Sequence, residues 1–228
     1  MIMKAKRTNA TVGNTIVPQG RDEIISSYME FVLINEKTPG TVYKFCKDIG
    51  ITEGQFYNHF GSFEGLQKEI WKQFYINSIS LLEKSPEFIS FTNREKLLTF
   101  YFTFFEILTL NRSYVLFVLE NGKSSIKNLE QLKGIRREIK GFAAGLIRDG
   151  NVEKQSKIFH QSEVVFSEAA WVQFMFLLKF WIDDNSPKFE STDVAIEKSV
   201  NTAFDLFDNT PLERVVDFGK FLWKEKMG

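Results

Sequence analysis

The sequence predicts an all-α protein, with an N-terminal three-helix helix-turn-helix head followed by a larger helical body. Three observations predict it. Apolar residues recur at helical spacing along nearly the whole chain. The 228 residues include 24 Phe and only 5 Pro, so a large aromatic volume comes with few helix breakers. No β-hairpin signal, internal repeat or low-complexity tract stands out. The expected divisions are a flexible basic arm over 1–19, the head over 20–70 and the body over 71–228.

In the head, Ile24, Tyr28, Phe31 and Val32 share one helix face, and Lys37-Thr38-Pro39-Gly40 ends that helix. Thr41 is suited to cap a second helix, whose Val42, Phe45, Cys46 and Ile49 form the next apolar stripe. Gly50 supplies a sharp turn, and Thr52 caps a third helix reaching about Phe60 with Phe56 and Phe60 pointing inward. Gly61-Ser62 ends it and caps a fourth helix over about 63–84, with Leu66, Ile70, Phe74, Ile79 and Leu82 on one face and Pro86 as its stop. That helix is long enough to leave the head and enter the body.

The body starts with a capping-box pattern, Thr92-Asn93-Arg94-Glu95. The helix behind it is apolar nearly all round through Leu97, Leu98, Phe100, Tyr101, Phe102, Phe104, Phe105 and Leu108, which places it centrally. A short apolar segment over 114–119 follows, then a more polar helix over about 128–148 ending at Asp149-Gly150. A second all-round apolar helix covers 164–182, and amphipathic segments cover 192–207 and 211–224. Pro211 fits a first helical position.

Charge and composition exclude several classes. The 29 basic and 29 acidic residues cancel, so any nucleic-acid contact rests on local charge. A single cysteine, Cys46, rules out an internal disulfide and a four-cysteine zinc site, and its place on the apolar stripe marks it as core. His59 and His160 are too far apart to suggest a metal site, and no metal or cofactor is expected. Lys4, Lys6 and Arg7 are not followed by an apolar run, so no signal peptide is expected. Ser167, Glu168, Gln173 and Lys179 interrupt 164–182, which reads as a buried helix and not a membrane span. A cytoplasmic protein is expected. The chain contains no Gly-x-Ser-x-Gly elbow, nucleotide-binding glycine loop or His-Glu-x-x-His, so it is not expected to be an enzyme.

Two short helices about a glycine turn form a helix-turn-helix candidate. The stretch Thr41-Val42-Tyr43-Lys44-Phe45-Cys46-Lys47-Asp48-Ile49-Gly50-Ile51-Thr52-Glu53-Gly54-Gln55-Phe56-Tyr57-Asn58-His59-Phe60, then Gly61-Ser62-Phe63, resembles the DNA-binding head of the TetR family. The resemblance covers about 21–70 and joins spacing, glycine turn and terminal aromatic run. It implies that base-reading and phosphate-holding positions fall on Glu53, Gly54, Gln55, Tyr57 and His59. With Thr41, Thr52 and Asn58 they make up the candidate DNA-binding set. Glu53 can accept from a cytosine amino group, and Gln55 is expected to pair with adenine. Gly54 lets the backbone approach the groove, Tyr57 and His59 suit phosphates, and Thr52 caps more than it reads. Where the family often carries a phosphate-touching lysine, this chain has Phe63. Between residues 20 and 75 the basic Arg21, Lys37, Lys44, Lys47, Lys68 and Lys72 face the acidic Asp22, Glu23, Glu30, Glu36, Asp48, Glu53, Glu64 and Glu69, an acidic excess for a head of this kind.

The resemblance also implies a homodimer formed through the last long helices, here the surfaces of 171–182 and the helices within 192–224, set on double-stranded DNA. It implies a repressor released from a palindromic operator by a small apolar or aromatic effector. The candidate pocket is lined by Tyr101, Phe104, Phe105, Leu108, Phe117, Trp171, Phe174, Met175 and Leu178. The alternative is a hydrophobic-ligand or lipid-binding protein of the same fold with weak or no DNA binding.

Overall fold

The structure, a computed structural model, describes residues 11–12, 15–16, 20–120, 129–152 and 162–209. Its helices are α1 (Arg21–Asn35), α2 (Val42–Ile49), α3 (Glu53–Tyr57), α4 (Phe63–Leu82), α5 (Asn93–Leu110), α6 (Arg112–Glu120), α7 (Lys133–Val152), α8 (Glu163–Asp183) and α9 (Glu190–Asn209). Short 3₁₀ turns at Pro86–Ser90 and Pro187–Phe189 join some of them. The all-α class holds. One correction is local: two short strands, Thr11–Val12 and Thr15–Ile16, pair antiparallel in the arm, where no hairpin was expected. β-branched residues on both sides of Gly13-Asn14 are a sufficient hairpin signal. The rest of the arm and the segment 211–224 lie outside the described residues.

The chain packs as two units, residues 1–82 with 103–138 and residues 83–102 with 139–228. In the first unit, α1 starts at Gly20, whose N–H donates to Glu23 at 3.2 Å, and buries Ile24, Ile25, Tyr28 and Val32. Asp22 and Glu23 in its first turn favour the positive end of the helix dipole. Phe45 on α2 is fully buried and meets the rings of Tyr28, Phe31, Phe56 and Phe63 at 5.7–6.3 Å, mostly edge to face. Phe63, half-buried, also packs 5.5 Å from Tyr28 and 5.6 Å from Phe56, so this departure from the family pattern is a packing residue at the start of α4. Ser62 caps α4 by accepting from Gly65 N–H at 3.1 Å.

Polar side chains thread this apolar core. Gln67 donates to the Tyr28 hydroxyl at 2.8 Å. Trp71 Nε1 donates to Gln131 Oε1 at 2.9 Å, and Gln131 Nε2 donates to the Val118 carbonyl at 3.2 Å. Gln131 lies in a turn at 131–132, so the polar helix expected from about residue 128 is broken there and restarts at Lys133. The buried glutamine satisfies two neighbours and is held by them. The fully buried Tyr114 hydroxyl has no hydrogen-bond partner among the described residues, a cost of about 1–3 kcal/mol. On α4 the buried face runs through Leu66, Ile70, Trp71, Phe74, Ser78 and Leu82, while Ile79 is only half-buried; the Ser78 hydroxyl donates to the Phe74 carbonyl at 2.9 Å.

In the second unit, the expected capping box opens α5: Thr92 N–H donates to Glu95 at 2.8 Å and Glu95 N–H returns to the Thr92 hydroxyl at 3.3 Å. Asn93 donates to the Leu146 carbonyl at 2.7 Å, and a Cβ at Gly150 would stand 2.6 Å from that Asn93 amide. Gly150 therefore admits a close approach and does not end α7, which runs on to Val152. Tyr101 donates to the Ala170 carbonyl at 2.9 Å, Phe100 packs on Phe142 at 4.7 Å, and Lys140 pairs with Glu168. Helices α8 and α9 join through Phe166 with Phe204 and Phe207, and through Gln173 donating to Ser199 at 2.9 Å.

Helix α8 is not buried all round. Phe166, Ala170, Phe174, Leu177, Leu178 and Trp181 face inward, but Val172, Phe176 and Phe180 are 66%, 54% and 36% exposed. It is the one helix among the described residues with the length and apolar composition of a membrane span.

The turn after α8 is held by a carboxylate. Asp184 accepts from Thr192 Oγ1 at 2.6 Å, Ser186 N–H at 2.8 Å and Thr192 N–H at 2.9 Å, while Lys188 and Phe189 adopt φ of 56° and 61°. Burial acts to raise the Asp184 pKa, but these hydrogen bonds outweigh it and hold it down at about 2 against an ordinary 3.8. The folded value lies below the unfolded one, so the stabilisation is complete above about pH 4 and is lost as pH falls through 2. It is expected to amount to about 2 kcal/mol. Denaturant titrations from pH 6 to pH 2 should show Asp184→Asn less stable at pH 6 and less acid-sensitive than the parent below pH 4. Equal acid slopes in the two proteins would refute this.

Candidate functional site

The turn between α2 and α3 is set by Gly50 at φ 77°, a left-handed conformation that suits glycine, with its N–H returning to the Cys46 carbonyl. Thr41 caps α2 by accepting from Lys44 N–H at 3.2 Å. Thr52 caps α3 by accepting from Gln55 N–H at 3.2 Å. Helix α3 is shorter than the sequence suggested and ends at Tyr57, with Asn58 as its cap. Phe56 and Phe60 are buried and 5.7 Å apart, and they anchor it.

The candidate DNA-binding residues lie on the outside of this anchor. Thr41, Thr52, Gly54, Gln55, Tyr57, Asn58 and His59 are exposed, and Glu53 is half-buried. Tyr57 is 52% exposed and rests its ring edge-on against Phe56 at 5.5 Å. The Tyr57 hydroxyl, the His59 imidazole and the Glu53 carboxylate make no hydrogen bond or ion pair among the described residues. A methyl added at Gly54 would meet only Thr52 Oγ1, at 3.8 Å, so the local packing leaves room there and the backbone is bare.

Local charge is unevenly committed. Arg21 pairs with Glu69 and sits 5.8 Å over the Phe60 ring, which fixes it beside the anchor. Lys44 and Lys47 on α2 are exposed and in no ion pair among the described residues, so they are available cations beside α3. Tyr43, 60% exposed, stands with them. Sequence reasoning passed over these three, although they lie opposite the buried Phe45 and Cys46 on α2. Burial, aided by the Glu53 carboxylate, pushes the Cys46 thiol up, in keeping with a core role.

Gln55 also has a role that was not foreseen. Its Oε1 accepts from Thr52 N–H at 2.8 Å and from Thr52 Oγ1 at 3.0 Å, closing a capping box. The Thr52-x-x-Gln55 spacing carries that signal.

The pocket residues divide between the two units. Phe104, Phe105 and Leu108 are buried and Phe117 half-buried in the first. Tyr101, Phe174 and Leu178 are buried in the second, where half-buried Trp171 stacks on Phe174 at 5.4 Å and Met175 is also half-buried. No cluster of three metal-ligating side chains occurs among the described residues.

Comparison with known proteins bears on the other end of the chain. No curated protein matches it. Residues 96–222, more than half of the sequence, match the family described as Tetracyclin repressor-like, C-terminal domain. The head motif ends before that match begins, so two separate stretches point the same way, and the chain belongs to the TetR family of regulators.

Proposed function

We propose that the protein is a cytoplasmic, ligand-responsive repressor that binds a palindromic operator as a homodimer and is released by a small apolar or aromatic effector. The observation that carries this reading is the outward row of Gln55, Tyr57 and His59, with Glu53 beside it, on a capped helix anchored from behind by Phe56 and Phe60. The Tyr57 hydroxyl and His59 imidazole, exposed without partners among the described residues, and the outward Nε2 of Gln55 on a rigid mount suit a surface that another molecule completes. Tyr57, His59, Lys44 and Lys47 supply groups for phosphates, which set register, and Glu53 and Gln55 supply groups for base edges. Val172, Phe176 and Phe180 on α8 support self-association, because a contiguous apolar stripe of this kind favours an interface. The body, with its buried aromatic side chains, takes the effector, which acts only through its different affinity for the two states.

The test is fluorescence anisotropy with duplex DNA from the promoter region of its own gene, at two salt concentrations. Tyr57→Ala is expected to weaken binding about tenfold with the salt slope unchanged, because an uncharged hydroxyl releases no counterion, whereas Lys44→Ala is expected to reduce the slope by about one. Equal weak binding to any duplex, unchanged by Tyr57→Ala, would overturn the regulator reading, and a lipid carried through purification would then favour the hydrophobic-ligand alternative.

A further inference from the structure

We infer that Gln55 acts on DNA as a hydrogen-bond donor alone and so selects guanine, not adenine, at the base it faces. The inference rests on the DNA-binding reading above and names the base that this reading leaves open. The adenine pairing expected from residue type needs both ends of the amide: Nε2 donating to N7, and Oε1 accepting from the N6 amino group. Here Oε1 is already engaged. It accepts from the Thr52 backbone N–H at 2.8 Å and from the Thr52 hydroxyl at 3.0 Å, while that hydroxyl accepts from Gln55 N–H at 3.2 Å. The backbone N–H can only donate, so the amide atom facing it must be the oxygen. The orientation of the side chain follows: oxygen toward the helix cap, nitrogen away from it.

Nε2 carries two hydrogens and makes no hydrogen bond among the described residues, and Gln55 is exposed. A donor-only group at a major-groove edge seeks acceptors. Guanine offers two adjacent ones, N7 and O6. Adenine offers N7 beside an amino group that would face another donor, and cytosine offers an amino group alone. Thymine has a single acceptor next to a methyl group. To read adenine, Gln55 would have to withdraw its oxygen and leave the Thr52 N–H without its cap partner. The capping box thus sets the specificity of the residue that closes it.

The experiment is selection of bound duplexes from a randomised library, run in parallel with the parent protein and Gln55→Glu. Glutamate at this position keeps both acceptor bonds to Thr52, so the helix cap survives, but it replaces the outward donor by an acceptor. The parent is expected to enrich a half-site with guanine at one position, where adenine weakens binding tenfold or more. Gln55→Glu is expected to lose that preference at the same position and to turn toward cytosine or adenine, with the other positions unchanged. Circular dichroism of Gln55→Glu matching the parent confirms that the head is folded. An enriched adenine that disappears in Gln55→Glu would overturn the inference while sustaining the DNA-binding reading. So would a guanine indifferent to the substitution. If the parent enriches no sequence and binds no duplex at low salt, both fail together.

Discussion

Phe45→Ala is expected to destabilise the protein by about 3–5 kcal/mol, a large part of the total stability of a domain. Phe45 has no exposed surface, and four rings from α1, α3 and the start of α4 converge on it: Phe31 and Tyr28, then Phe56, then Phe63. Truncation removes the transfer energy of one ring and leaves a cavity bordered by rings that already touch one another. Phe56 and Phe63 are 5.6 Å apart and Tyr28 and Phe63 5.5 Å apart, so collapse into the space is restricted. Helix α3 is only one turn and a half long and is held by the same cluster, so its outward row should lose order before the body does. Denaturant melts should show the midpoint falling steeply, and duplex binding should vanish under conditions where the body helices persist. A loss below 1 kcal/mol would mean that the cluster is not the mount of α3. Tyr57→Ala is the surface control, expected within about 0.5 kcal/mol of the parent.

What could be read in the chain, and what could not, follows the range of the forces involved. The caps at Thr41, Thr52 and Thr92 and the turn at Gly50 were legible because each involves residues within a few positions of one another. The inward pair Phe56 and Phe60 was legible by spacing. The capping role of Gln55 was missed, although its signal was present: glutamine serves equally as a cap closer and as a base reader, and only the distances to Thr52 show which end of the amide is engaged. Phe63 looked like a missing phosphate contact until its ring neighbours were known. Gln131 breaks a helix because of Trp71 and Val118, 60 and 13 residues away in sequence, and no local pattern carries that. Helix α8 is the clearest case. A segment apolar on every side has no face to read, and its division into a buried side against α9 and an open side is decided by tertiary contact alone.

That open side carries the second large effect: Phe176→Asp is expected to weaken self-association at least a hundredfold. Val172, Phe176 and Phe180 follow one another at four-residue spacing, and the rings of Phe176 and Phe180 lie 6.2 Å apart. Phe176 is the middle residue, so in a paired interface it would be the most thoroughly dried of the three, the usual place of the dominant contacts. Substitution forfeits about 2 kcal/mol of apolar burial per copy, and a carboxylate enclosed there without a partner costs several more. A two-fold axis applies the change twice. The hundredfold figure corresponds to about 2.7 kcal/mol and is therefore a floor. The isolated chain should tolerate the change, because Phe176 is more than half exposed in it. Sedimentation velocity across a thousandfold concentration range should show the parent as a dimer and Phe176→Asp as a folded monomer of parental helicity. Operator affinity should fall with it, since two half-sites one turn apart are gripped together only by a pair of heads. A Phe176→Asp protein that still sediments as a dimer at the same concentrations would place the interface elsewhere on the body and leave the apolar stripe of α8 without this role.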